Sequence, residues 1–208
     1  MKSVRRQYDA WAHVYDLVWR RYANRTLDAL LERARFTGGR TDELEILDVG
    51  CGTGILEEKM LSDGYRGAIV GVDASTEMIR RASDKLFDAT NVFFRSADAA
   101  DLPFPDATFD AVVTASMLHY VPDPVAVLME MRRVLRRDGT LYALDWCSDY
   151  KTIRFRNALL RLVDPAHHST YTTEKIHVQL EEARFRITRY ETFRSGTYGL
   201  YYTEAVPE

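Results

Sequence analysis

A chain of 208 residues with 46% hydrophobic and 28% charged side chains fits a single globular domain, 1–208. Its formal net charge of −3 argues against nonspecific nucleic-acid binding, and its two cysteines are too few for a disulfide framework. No apolar run approaches a transmembrane span and no signal peptide is visible, so we expect a cytoplasmic protein.

The first forty residues carry an aromatic stripe and an excess of positive charge. Between Val4 and Arg35 there is neither proline nor glycine, and large aromatic residues recur at helical spacing: Tyr8, Trp11, Tyr15, Trp19 and Tyr22. Residues 1–40 hold nine Lys/Arg against four Asp/Glu, a net charge of +5. We expect a helical cap over 1–40 whose stripe packs on the domain, roofs a ligand pocket or contacts a membrane surface.

The string ILDVGCGTG, residues 46–54, predicts a buried strand that turns sharply into a helix at 55–62. The three glycines, Gly50, Gly52 and Gly54, suit a loop that holds a ligand against bare backbone, although glycine spacing alone also fits an ordinary tight turn.

A second strand is predicted at 68–72 and ends at Asp73. A carboxylate at that position can accept hydrogen bonds from both hydroxyls of a ribose, and it can also cap the helix predicted at 75–86. Further strands are predicted at 91–95, 109–114, 140–145, 186–193 and 198–205, and further helices at 125–135, 150–163 and 172–183. Gly139 is expected to stop the helix that precedes the fifth strand.

Strands that alternate with helices predict an α/β fold, a doubly wound and mostly parallel sheet with helices on both faces. Ligands of such sheets lie beyond the carboxyl ends of the strands. That edge should gather residues 50–54, Asp73, Asp98, residues 115–120 and Trp146.

The chain divides into four parts around this edge. Residues 1–40 form the cap, residues 44–146 the cofactor-binding core, and residues 172–208 a helix and an antiparallel strand pair. Residues 147–171 leave the fifth strand at the ligand edge, so we expect this insertion to be a lid or a substrate wall.

Two features favour an adenosyl ligand without a pyrophosphate over a dinucleotide. The glycines are spaced G-x-G-x-G, whereas the dinucleotide fingerprint has its third glycine one residue later. Asp48 precedes the loop, where a negative charge would oppose a pyrophosphate but suit a cationic ligand.

In these motifs the chain resembles the class I S-adenosylmethionine-dependent methyltransferases, in particular the small-molecule branch similar to ubiquinone and menaquinone biosynthesis methyltransferases. The strings that carry the resemblance, in order, are ILDVGCGTG, GVDAS, SADAADLPFPDATFD, SMLHYVPDP and EMRRVLRRDGTLYALD. The N-terminal YDAWAHVYD is also similar to a motif of that branch. The family implies a Rossmann-like seven-stranded sheet of order 3-2-1-4-5-7-6, with S-adenosylmethionine as cofactor and S-adenosylhomocysteine as product.

The resemblance also implies roles for individual residues. Asp73 would bind the ribose, Ala74 or Met78 would contact the adenine, and Asp98 with the Ala99 amide would bind its edge. The methionine end would lie against these residues: Asp48, Gly50, Cys51, Gly52, Thr53, Gly54, Ala115, Ser116 and, from the cap, Tyr15. One departure is Arg184, where relatives often have glycine after the last helix.

Methyl transfer needs a general base only if the acceptor must lose a proton. His119, His167 and Asp145 are the catalytic candidates, and the acceptor is expected to meet these residues: Tyr8, Trp11, Tyr120, Trp146 and His168. No metal is expected.

We therefore expect a methyltransferase for a small-molecule acceptor, as a monomer or homodimer, with no nucleic-acid partner and no transmembrane segment. Three alternatives stay open: a lipid or quinone methyltransferase with peripheral membrane contact, a non-catalytic S-adenosylmethionine-binding module, and an NAD-dependent oxidoreductase. Methyl acceptors of oxygen, nitrogen and carbon are not distinguished by the sequence.

Overall fold

The computed structural model describes residues 20–36, 43–163 and 169–208. The helices are α1 (20–34, as far as described), α2 (Ile55–Ser62), α3 (Thr76–Lys85), α4 (Pro124–Val134), α5 (Lys151–Val163) and α6 (Thr173–Glu182), with a short 3₁₀ helix at Leu118–Tyr120. The strands are β1 (Ile46–Val49), β2 (Ile69–Asp73), β3 (Val92–Ser96), β4 (Phe109–Ala115), β5 (Leu135–Trp146), β6 (Phe185–Ser195) and β7 (Tyr198–Pro207).

All seven strands form one sheet of order β3-β2-β1-β4-β5-β7-β6. Strands β1 to β5 pair in parallel, and β7 is antiparallel to both β5 and β6. The predicted fold class and strand order are therefore confirmed. Because the order reverses between β1 and β4, the loops that follow these two strands open a crevice at the carboxyl edge.

The sheet separates two apolar layers, because alternate residues of a strand point to opposite faces. In β1, Ile46 packs into one layer and Leu47 into the other. One layer also receives buried residues of α4 and α6, and the other receives buried residues of α1, α2 and α5. Helices therefore cover both faces, as the alternating pattern predicted.

Side-chain caps start three of the helices where the sequence offers a small polar residue. Ser75 accepts a hydrogen bond from the Met78 N–H at the start of α3, and Thr172 accepts one from the Lys175 N–H at the start of α6. Asp123 does the same for α4, whose first residue is Pro124. The N-cap of α3 is thus Ser75, and Asp73 lies at the end of β2, at the carboxyl edge of the sheet.

The predicted boundary between α4 and β5 is wrong. The helix ends at Val134, and Leu135 already belongs to a strand in which Gly139 is an interior residue. A Cβ at position 139 would lie 2.7 Å from the Asp110 backbone oxygen, so glycine there allows β5 to approach β4 closely. Gly139 is therefore a packing residue of the sheet and not a helix stop.

The segment after β5 is tied back to the sheet at both ends. The Cys147 N–H donates to the Gly199 oxygen (2.9 Å), and the Ser148 N–H donates to the Tyr171 oxygen (2.8 Å). Ile153 of α5 is fully buried in the layer that also contains α1. The predicted helix at 150–163 is confirmed, and it starts beside the ligand edge. Among the described helices, none has the length and apolar character needed to cross a membrane.

Candidate functional site

The loop of residues 50–54 joins β1 to α2 and lies beside the end of β2. Gly50 and Gly52 have φ values of 87° and 55°, a region that favours glycine. The N–H groups of Gly50 and Cys51 donate to the Val72 oxygen (2.8 and 3.1 Å), which anchors the loop. A Cβ at Gly50 would lie 2.6 Å from the Met117 side chain, whereas a Cβ at Gly52 would meet nothing within 4 Å. Gly52 thus exposes bare backbone with open space above it.

The carboxylate of Asp73, at the end of β2, is held against this loop. One oxygen accepts from the Gly52 N–H (3.1 Å) and the other accepts from the Ser75 N–H (2.8 Å). Each carboxylate oxygen can accept a second hydrogen bond. The side chain is therefore fixed in orientation at the end of β2, against the glycine loop.

A crevice of about 760 Å³ lies between the loops that follow β1, β2, β3 and β4. Its lining includes these predicted residues: Gly50, Gly52, Asp73, Ala74, Met78, Ala99, Ala115, Ser116 and Tyr120. Asp98 is exposed and outside the lining, and its carboxylate accepts from the Ala100 N–H at 3.0 Å. Its neighbours Ala97 and Ala99 line the crevice in its place.

A second cavity, of about 490 Å³, lies on the α1 side of the same loop. It shares the residues Gly50, Gly52, Ala115 and Ser116 with the crevice. Its other lining residues include Asp48, Cys51 and Thr53 of the predicted set, together with Tyr22 of α1. The two cavities therefore meet at the glycine loop, and a ligand that crosses the loop can occupy both. Gly54 lies behind the loop, where a Cβ would be 3.1 Å from Ala82.

Asp48, which lines the second cavity, interacts with a second buried carboxyl group, that of Glu57. Asp48 is 3% exposed, and Glu57 is fully buried without a hydrogen-bond partner for either oxygen among the described residues. Burial raises the pKa of Asp48 well above its usual range, and the charges of Glu57 and Asp73 raise it further. Burial raises the pKa of Glu57 to about 7, although Lys85 acts in the opposite direction. A cation in the cavity would offset the cost of ionising both groups.

His119 and Asp145 form a buried pair at the ends of β4 and β5. The His119 ring nitrogen Nδ1 lies 2.6 Å from an Asp145 oxygen, and the His119 backbone N–H donates to the other oxygen (3.2 Å). Both residues are 2% exposed, and the His119 ring stacks on Trp146 with 4.7 Å between the centroids. The sequence placed these residues at one edge but did not predict their direct contact.

Tyr22 is a contact residue that the sequence analysis did not single out from the aromatic stripe. Its hydroxyl accepts from the Trp146 indole N–H and pairs with the Ser116 hydroxyl at 2.8 Å. Its ring lies 4.4 Å from that of Tyr198. Tyr22 therefore links the cap helix to the ends of β4, β5 and β7. Helical spacing identified the stripe, but only the rotation of the helix in the fold decides which residue reaches the site.

Five predicted site residues lie outside the described residues, and their roles stay predictions: Tyr8, Trp11, Tyr15, His167 and His168.

The residues present fit an S-adenosyl ligand in three respects. The loop exposes backbone at Gly52, the Asp73 carboxylate lies against that loop, and the buried carboxyl group of Asp48 lines the cavity on the α1 side, where a bound cation would favour its ionised form. Apolar residues of the crevice, such as Met78 and Val121, suit the faces of an aromatic base. Along the site, the cavity with Asp48 suits the positively charged methionine end, Asp73 suits the ribose, and the apolar crevice suits the base.

Comparisons with known proteins agree with this arrangement. Residues 47–143 match the family described as "Methyltransferase domain". A phosphatidylethanolamine N-methyltransferase of Cereibacter sphaeroides is 34% identical over 142 residues, which are 67% of this chain and 66% of that protein. A 27-O-demethylrifamycin SV methyltransferase of Amycolatopsis mediterranei is 33% identical over 156 residues, 67% of this chain and 56% of that protein. This chain thus spans about half to two thirds of the length of these relatives.

A solved S-adenosylmethionine-dependent methyltransferase of Methanosarcina mazei has the same fold. It superposes with a TM-score of 0.69 at 25% identity, covering 85% of this chain and 96% of that one. The family match, residues 47–143, includes the glycine loop and most of the segment from β1 to β5. The chain belongs to the class I S-adenosylmethionine-dependent methyltransferases.

Proposed function

We propose that this protein transfers the methyl group of S-adenosylmethionine to a small-molecule acceptor. The observation that carries the proposal is the Gly52 backbone, which has open space above it, is joined to the Asp73 carboxylate and shares a cavity with the buried Asp48. Bound S-adenosylmethionine supplies a methyl group on a positively charged sulfur; the carbon–sulfur bond breaks as the bond to the acceptor forms.

In this proposal Asp73 accepts from the ribose hydroxyls, and Ala74 or Met78 contacts the adenine. Asp98 and the Ala99 amide, predicted to bind the adenine edge, lie on the loop after β3. Residues 50–54, Ala115 and Ser116 hold the methionine end near Asp48. The protein mainly aligns the acceptor with the methyl group and excludes water, and such positioning can lower a barrier by about 7–11 kcal/mol.

Calorimetric titration with S-adenosylmethionine and S-adenosylhomocysteine tests the cofactor. We expect binding by the unaltered protein and at least about tenfold weaker binding by Asp73→Ala, because a charge-assisted hydrogen bond is lost. Gly52→Val should weaken binding further, since its side chain would occupy the space above the loop. Asp88→Ala, a substitution at an exposed position before β3, is the control and should bind both ligands like the unaltered protein.

Absence of binding at millimolar ligand would refute the cofactor assignment. Competition between NADH and the adenosyl ligand tests the dinucleotide alternative.

For an acceptor that must lose a proton, the proposed base is His119. Its ring nitrogen Nδ1 lies 2.6 Å from an Asp145 oxygen, and this contact fixes the orientation of the ring at the ends of β4 and β5. We expect His119→Asn to lower kcat, with S-adenosylmethionine affinity unchanged. An unaltered kcat would assign the pair to packing at the ends of β4 and β5.

The named activities of the relatives cover chemically different acceptors, a phospholipid amine in one and an antibiotic in the other. Transfer of labelled methyl groups to an extract separates an enzyme from a non-catalytic binding module, because only the enzyme labels an acceptor.

A further inference from the structure

A groove of about 1,020 Å³ lies outside the cofactor crevice, between α1 and the turn that joins β6 to β7. We call it the arginine groove. Arg21, Tyr22 and Arg25 line it from the helix, and Thr197 and Tyr198 line it from the turn.

A third arginine, Arg156 of α5, contacts two of the residues that line the groove. The Arg156 guanidinium lies 4.1 Å above the Tyr198 ring, and one of its nitrogens is 3.5 Å from the Thr197 hydroxyl. Arg25 lies on the opposite side of the turn, where a Cβ at Gly196 would be 3.4 Å from its guanidinium. Arginine side chains from two helices therefore converge on one turn.

These arginines differ from others nearby in having no carboxylate partner among the described residues. Arg33 pairs with Glu191 at 3.1 Å, and Arg189 pairs with Glu191 and Glu204. Arg21, Arg25 and Arg156 form no ion pair within the described part of the chain. The three stretches that surround the groove, 20–27, 151–163 and 194–203, contain no aspartate or glutamate. The groove thus has an uncompensated positive charge in a chain whose net charge is negative.

The arginine groove adjoins the site of the proposed methyl transfer through one side chain. Tyr22 lines the groove and also the cavity on the α1 side of the glycine loop. Its hydroxyl contacts Ser116 and Trp146, which lie at the ends of β4 and β5. The groove and the cavity beside the glycine loop are therefore separated by this one side chain.

We propose that the arginine groove binds an oxyanion, a phosphate or a group of the same charge and shape, that forms part of the methyl acceptor. Guanidinium groups bind oxyanions through paired N–H donors, and Thr197 adds a hydroxyl at the same place. Arg21, Arg25 and Arg156 would hold the anion while the rest of the acceptor passes Tyr22. The inference rests on the proposed function, because it identifies the chemical class of that enzyme's acceptor.

Titration with inorganic phosphate, without cofactor, tests the groove directly. We expect the unaltered protein to bind phosphate and Arg25→Ala/Arg156→Ala to bind it at least about tenfold more weakly. Arg66→Ala/Arg137→Ala removes the same charge from exposed positions before β2 and at the start of β5, and it should bind like the unaltered protein. Arg25→Lys/Arg156→Lys keeps the charge but loses the paired donors, so we expect intermediate binding. Thermal unfolding of each variant shows whether it is folded.

Flotation with vesicles separates two sources of the anion. Binding to phosphatidylglycerol but not to phosphatidylcholine, lost in Arg25→Ala/Arg156→Ala, would support a lipid headgroup, whereas phosphate binding alone would support a soluble acceptor. The proposal is overturned if neither ligand binds, or if the control pair weakens binding as much as the groove pair. S-adenosylmethionine binding, measured on the same proteins, should be unchanged in the groove variants. If the unaltered protein fails to bind the cofactor, the proposed function fails, independently of the anion result.

Discussion

At the scale of single residues, Arg184 has a backbone conformation that costs energy for any side chain. Its φ is 57°, directly after the end of α6, and its side chain is exposed. The family resemblance favours glycine at this position, yet α6 ends at Glu182 with an arginine there. The helix end is therefore maintained by other interactions, which include the hydrogen bond from the Arg184 N–H to the Glu181 oxygen.

We expect Arg184→Gly to stabilise the protein by about 1 kcal/mol, because glycine adopts this conformation without the steric cost of a Cβ. Urea unfolding measures the change. Arg184→Ala is the matched control, since it also removes the side chain but keeps the Cβ, and it should give no gain. Equal stabilisation by both variants would attribute the effect to the arginine side chain and contradict the backbone explanation.

Glu57 is a second residue whose burial costs free energy, because its carboxyl group must be protonated or ionised inside the protein. Its pKa is about 7 in the folded protein, against 4.5 for an unperturbed glutamate, so the folded state binds more protons between these pH values. Below pH 4.5 the Glu57 carboxyl is mostly protonated in both the folded and the unfolded state, so it costs no stability. As pH rises from 4.5 toward 7, the unfolded state loses its proton first, and the free energy of unfolding falls. The shift corresponds to about 3 kcal/mol.

We therefore expect Glu57→Gln to be more stable than the unaltered protein at pH 8, by up to about 3 kcal/mol, with little difference at pH 4.5. Unfolding by urea across this pH range measures both. Glu58→Gln, the partly exposed neighbour that pairs with Lys85 at 3.5 Å, is the control and should not change the pH profile. A difference between Glu57→Gln and the unaltered protein that stays constant with pH would contradict the assignment.

At the scale of elements, the predictions succeeded where apolar periodicity was clear. The helix at Ile55–Ser62 was predicted at its observed bounds, and the strand pair β6 and β7 was predicted within two residues at each end. The start of β5 was missed because its first residues, LRRDG, are polar enough to continue a helix and the pairing partner lies elsewhere in the chain. This segment becomes a strand by pairing with β4. The register of that pairing shifts between Phe109 and Ala111.

Gly139 is expected to be essential for that contact. Gly139→Ala should destabilise the protein by about 1–3 kcal/mol, because the new methyl group would press on the Asp110 backbone and force β5 away from β4. The neighbouring Asp138→Ala, at an exposed position of β5, should change stability by less than about 0.5 kcal/mol. Urea unfolding of both variants compares them directly, and equal stability of Gly139→Ala and the unaltered protein would show that the sheet accommodates the methyl group.

At the scale of the whole molecule, the strand order and the position of the crevice followed from alternation of elements and from the family resemblance. The crevice lining was largely predictable, because its residues directly follow strands β1 to β4. The arginine groove was not, since Arg25, Arg156 and Thr197 come from distant parts of the chain and meet only in the fold. The contact between Tyr22 and Trp146 was missed for the same reason.

The charge distribution of the whole site leads to a prediction about which ligand form it prefers. S-adenosylmethionine and S-adenosylhomocysteine have the same amino-acid group and base, but only the first has a positive sulfur. Asp48 and Glu57 have raised pKa values, so as pH falls they become protonated and lose their attraction for that charge. The ratio of the two affinities should therefore change with pH even though the amino-acid group titrates equally in both ligands.

We expect the preference for S-adenosylmethionine over S-adenosylhomocysteine to increase between pH 5.5 and pH 8, by at most about tenfold per pH unit for each proton released. Calorimetric titration of both ligands at several pH values measures the ratio, and the shift in unfolding temperature, which depends on ligand affinity, provides a second measure. Asp48→Asn removes one of the two titrating groups and should flatten the dependence. A ratio that is constant with pH, or that increases as pH falls, would show that the buried acids do not sense the sulfur charge, and their cost to stability would then need another explanation.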